Sequence, residues 1–197
     1  MISLHNSWKR TTKFLQKAYK SAHAPALEPF REFMVYNELE LAADTLFEFG
    51  DVQADMPVTF WEALAQAYDN MELDSKEELC RLRIYEAKYG FVEARLTLTP
   101  KEAGGRSSPI LNCFRPDWNI GSRTDSGEMV LNGARLTLEE ADSLPPGATG
   151  LVRLHPFYPE AWSKLMPGTE IAMHEGARPI GKAIVLRVLL KKDRAAM

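Results

Sequence analysis

With 197 residues, 45% of them hydrophobic, the chain has the length of one large domain or two small ones and the apolar content of a protein that folds unaided around a core. No run approaches the roughly 18 apolar residues of a membrane-crossing helix, and the N-terminal MISLHNSWKRTTKFLQKAYK has cations but no apolar segment of a signal peptide, so a cytoplasmic protein without a membrane partner is expected. The formal net charge of −3 looks uninformative, and Cys80 and Cys113 lie far apart with no second Cys or His at metal-ligand spacing, which predicts reduced thiols and no zinc site.

From Ser7 to about Ala22, Trp8, Thr11, Thr12, Leu15 and Tyr19 recur at spacings of three and four with lysines between them, the pattern of an amphipathic helix that Pro25 ends. Phe30, Phe33, Met34, Leu39, Ala42, Ala43, Leu46 and Phe49 keep a helical period up to Gly50, as one long helix or two joined near Tyr36 and Asn37. Pro57 opens another helix, carrying Phe60, Leu64, Ala67 or Tyr68, and Met71. In the last, Asp74 or Ser75 caps a run in which Leu79, Leu82 and Tyr85 or Glu86 continue the period until Gly90.

At Phe91 the period changes to two. Val92, Ala94, Leu96 and Leu98 alternate with Glu93, Arg95, Thr97 and Thr99, as in a half-buried strand. Short β-rich runs follow (SPILNCF, EMVLNG, ATGLVRLHPF, TEIAMHE, PIGKAIVLRVLL), punctuated by glycines and Pro-Gly turns, a spacing that suits a small sandwich or barrel. The expected class is α+β: an acidic helical bundle over 1–90, then a small antiparallel β-barrel over 91–197.

Counted by region, the charge is far from even. Residues 1–27 hold five cations (Lys9, Arg10, Lys13, Lys17, Lys20) and no acid, whereas residues 28–79 hold fourteen acids against Arg31 and Lys76, a balance of −12. Glu40, Asp44, Glu48 and Asp51, spaced by four, four and three, share one helix face opposite Leu39, Ala42, Ala43, Leu46 and Phe49. Like charges so stacked cost a few tenths of a kcal/mol per pair, so the stripe is either a solvated face or a surface for a basic partner.

Two resemblances add to this. In residues 99–189, TPKEAGGRSSPILNCFRP, a Leu-Pro-Pro-Gly turn, VRLHPF, MPG and AMHEGARPIGKAIVLRVL stand in the order of the C-terminal β-barrel of elongation factor Tu, which this part of the chain resembles. That implies the barrel fold, and in the family the barrel helps hold aminoacyl-tRNA and contacts the exchange factor. The nucleotide-hydrolysing part does not carry over, since neither GxxxxGK[ST] nor NKxD is present. Residues Tyr36 to Asp74, with Asn37-Glu38-Leu39, Leu41-Ala42 and the closing Met71-Glu72-Leu73-Asp74, resemble the helical core of Maf-type and related bacterial immunity proteins.

No catalytic constellation is present: there is no nucleophile elbow, HExxH, paired-Cys motif or dinucleotide loop. His155 and His174, near Glu160 and Glu175, read more simply as structural histidines than as a base or metal ligands, and no cofactor is expected. Arg106, Arg115 and Arg178 are candidate RNA contacts, set against the alternative that they pair with carboxylates. Trp61 and Trp162 read as packing residues.

The expectation is a non-enzymatic immunity or antitoxin-like protein that occludes the basic surface of a toxin, a nuclease above all. The contact residues would be Tyr36, Glu40, Asp44, Phe47, Glu48, Asp51, Asp55 and Trp61, with charge setting the on-rate and aromatic anchors the residence time. The alternative is a translation-associated module contacting tRNA, the ribosome or an elongation factor through the barrel.

Overall fold

The computed structural model describes residues 4–22, 27–53 and 56–191. The chain divides into two compact units, Met1–Lys88 and Tyr89–Met197.

The first unit is helical: α1 (Leu4–Ser21), α2 (Glu28–Val35), α3 (Leu39–Asp51), α4 (Val58–Asn70) and α5 (Asp74–Tyr89), the last running one residue into the second unit. The open choice near Tyr36 resolves as two helices. Asn37 takes a left-handed conformation with φ of 59°, which an asparagine tolerates better than most residues and which no helix can continue through. Pro57 stands one residue earlier than expected, as the N-cap of α4 in an extended conformation. The core is built from Leu15 and Ala18 of α1, Leu39, Ala42, Ala43 and Leu46 of α3, and Phe60, Leu64, Ala67 and Tyr68 of α4, with Cys80 of α5 beneath them. Gly50 is required by packing rather than by backbone conformation, because a Cβ there would stand 2.5 Å from the Phe60 ring.

The second unit contains β1 (Val92–Leu98), β2 (Ile110–Leu111), β3 (Asp117–Asn119), β4 (Asn132–Leu138), β5 (Ser143–Leu144), β6 (Thr149–Pro156), the single turn α6 (Pro159–Trp162), β7 (Glu170–Glu175) and β8 (Arg178–Val188). Six strands close into a barrel in the order β1-β6-β4-β3-β7-β8, every pairing antiparallel, while β2 and β5 pair separately. Closure leaves the barrel itself without an edge strand. The fold is therefore α+β with a small closed barrel.

The alternation in β1 is realised in full, with Val92, Ala94, Leu96 and Leu98 all buried. One expected run falls mostly outside the strands, and one strand lies outside the expected runs. EMVLNG supplies an isolated bridge between Met129 and Arg123, and only its last two residues, Asn132 and Gly133, belong to β4, which runs on through Ala134 and Leu136, both buried. β3, which puts Trp118 into the core, sits in a three-residue stretch too short to show a period.

Candidate functional site

The acidic stripe of α3 is real, but half of it is neutralised. The exposed Glu40 and Glu48 alternate along the helix with Asp44 and Asp51, and these two meet cations of α5: Lys76 Nζ lies 3.0 Å from Asp44 Oδ1, and Arg83 Nη2 lies 2.6 Å from Asp51 Oδ1. Asp44 and Asp51 are seven residues apart, as are Lys76 and Arg83. Two helical turns on each helix come into register, with α3 and α5 running in the same direction. The Tyr68 hydroxyl also donates to Asp44 Oδ1 at 2.8 Å; burial, then this bond to a carboxylate, pushes the phenol well above its ordinary pKa.

The balance of −12 was drawn with a boundary inside α5. Beyond it Arg81, Arg83 and Lys88 against Glu86 add +2, and the five cations of residues 1–27 bring the whole helical unit to −5. The expectation of a stripe whose four carboxylates are all available is corrected, because α5 pairs Asp44 with Lys76 and Asp51 with Arg83.

Arg83 is the keystone of this ladder. Its side chain is largely buried and also reaches Glu86 at 2.8 Å; burial pulls its pKa down, but Glu86 and Asp51 outweigh that and hold the guanidinium above its ordinary value. Arg83→Met is expected to cost about 2 kcal/mol, discounted from the fully buried case because Asp51 is partly solvated. The measurement is the urea midpoint, and Asp51→Asn should shift it by less than half as much.

The aromatic candidates separate by burial. Trp61 is only 3% exposed and is held edge-on between Phe60, at 4.8 Å, and Phe47, at 5.7 Å. Phe47 is half-buried, with Lys76 Nζ 5.7 Å from its ring centre. The expectation that Trp61 anchors a partner is corrected: it is a core residue of α4, and Phe47 mainly covers it. Tyr36, by contrast, is 69% exposed at the α2–α3 corner, beside Val35 at 78%, with Leu41 at 48% in the next turn. The exposed Glu32, Glu38 and Glu40 flank these three. Val35 and Leu41 were missed in the sequence because they fall off the apolar period, which is itself the signal of an apolar side chain facing solvent. Asp55 lies outside the described residues.

On the barrel, Arg106 and Arg178 converge on Glu175, and Arg106 lies over the Phe114 ring at 4.8 Å. Arg106 is thus mostly buried in its pair, whereas Arg178 and Arg115 are exposed. His155 and His174 are buried in β6 and β7, and among the described residues no cluster of three or more His, Cys, Asp or Glu could hold a metal. Among those residues, no helix is long and apolar enough to cross a membrane. No protein-family model matches the chain.

Proposed function

We propose that the chain is an immunity or antitoxin-like binding protein that occludes the basic surface of a toxin, a nuclease in the first instance, through the α2–α3 corner of its helical unit. The carrying observation is the exposed Val35, Tyr36 and Leu41 set among carboxylates that no described cation neutralises, Glu40 and Glu48 above all. An aromatic anchor with an acidic rim is the complement of a cationic active surface: desolvating Tyr36 slows dissociation, and the carboxylates speed encounter. The resemblance of residues 36–74 to the immunity proteins supports the same reading.

The geometry selects the probes. Asp44 already bonds to Tyr68 and Lys76, so reversing its charge would damage the fold, whereas Glu40 and Glu48 can be reversed on the surface. The tagged chain, purified from its own cells at low salt, is expected to retain a basic protein that is released as salt rises and whose toxicity co-expression suppresses. Tyr36→Ala with Glu40→Lys and Glu48→Lys should weaken that complex at least about a hundredfold, two to three kcal/mol, without changing the unfolding midpoint. Undiminished affinity in the triple variant would remove the corner from the interface.

A second reading, translation-associated docking through the second unit, rests on the resemblance of residues 99–189 to the elongation factor Tu barrel; a closed antiparallel barrel is the architecture that resemblance implies. Recovery of translation factors or tRNA in the same purification, with no basic toxin, would favour it.

A further inference from the structure

A one-sided charged surface of the helical unit lies on α1. Its buried residues, Thr11, Leu15 and Ala18, occupy one side. At 3.6 residues per turn, Lys9, Arg10, Lys13, Lys17 and Lys20 all fall within an arc of about 100° on the opposite side. All five are exposed, and none forms an ion pair with a described residue. Mutual repulsion along such an arc is not relieved within the described helical unit.

A cleft of about 510 Å³ opens along this arc, lined by Lys13, Gln16, Lys17, Lys20 and Ser21 of α1 and by Pro57 and Thr59 at the start of α4. Among the described residues of that lining, every side chain except that of Pro57 presents a hydrogen-bond donor, and none is acidic.

We infer that this basic face of α1 binds the phosphodiester backbone of a nucleic acid, without reading its sequence. Three features decide the ligand. Among the described residues the lining holds no aromatic or branched aliphatic side chain of the kind that anchors a stable protein interface, which argues against an acidic protein. Lys9 and Arg10 continue the array beyond the cleft, so the charge extends past what a single small anion would use. From Lys9 to Lys20 the axis rises roughly 16 Å, the length of about five phosphates of one duplex strand. Lysines act here as point charges, and the lining contains no aromatic ring on which a base would stack, so contact is with the backbone alone.

The test uses the full chain and a fluorescein-labelled oligonucleotide of about 20 residues, as RNA and as DNA, with anisotropy followed from about 50 to 200 mM salt. Both polymers should bind, with affinity falling by a log–log slope of about −3 or steeper. Lys13→Gln, Lys17→Gln and Lys20→Gln together should weaken binding roughly tenfold or more and flatten the slope by about 2, with circular dichroism and melting unchanged because all three are exposed. The pair Lys9→Gln and Arg10→Gln, outside the cleft, should flatten it by about 1. Undetectable binding at the lowest salt, or an unchanged slope in the triple variant, would overturn the assignment. So would displacement of the oligonucleotide by an equimolar amount of inorganic tripolyphosphate, which would make the cleft a small-anion site.

Discussion

Trp118→Ala is expected to remove about 4 kcal/mol of stability, the largest single loss from the barrel core. β3 is three residues long and pairs through only two positions with β4 and three with β7, so its place in the barrel depends on its side chain more than on its backbone ladder. That side chain is fully buried and meets Trp162, also fully buried, edge to face at 6.3 Å. Truncation leaves a cavity among residues from several strands, and it strips Trp162 of an aromatic contact worth about 1 kcal/mol. Neither indole N–H donates to a described residue, and Trp118→Phe keeps an aromatic ring against Trp162, so it should cost less than half as much. Urea midpoints of the two variants check this; equal losses would show that the site responds to the indole itself rather than to volume.

Gly90→Ala is expected to cost about 3 kcal/mol at the start of the barrel. Gly90 has φ of 78°, and a Cβ there would lie 1.9 Å from the carbonyl oxygen of Leu189 and 2.8 Å from Leu190 Cα. These are backbone atoms, which cannot swing aside as a side chain can. They are also fixed from both sides, since Leu189 N–H donates to Phe91 O and Lys191 N–H to Tyr89 O, each at 2.9 Å. An alanine must break this pairing as well as occupy a left-handed conformation, which alone costs about 1–2 kcal/mol. Gly104 is the control: its φ is 88°, but a Cβ would meet nothing within 4 Å, so Gly104→Ala should show the conformational cost alone. Equal melting shifts for the two would mean that the Leu189 contact yields easily.

The candidate site was legible in part. Glu40, Asp44, Glu48 and Asp51 do line one face of α3, because a helix fixes which residues share a face. Which carboxylates remain available was not legible, since the ions that silence Asp44 and Asp51 come from α5, some thirty residues further along the chain. Trp61 and Tyr36 are both aromatic residues in acidic helical stretches, and nothing local separates them; the packing of Phe47 and Phe60 around Trp61 does. The five cations of α1 were visible from the outset, but their cleft exists only because the start of α4 faces them.

The sequence by itself determined the division into helices and strands, the α+β class, the break at Gly90 and the inward face of β1. Periodicity, glycine and proline act within a few residues of their own position, and they survive in any tertiary context that buries one face. The tertiary structure alone decided the order in which the strands close, the start of β4 at Asn132, the core position of Trp118 and the neutralisation of half the acidic stripe. Each of these depends on contacts between residues distant in the chain, whose energies no local pattern records.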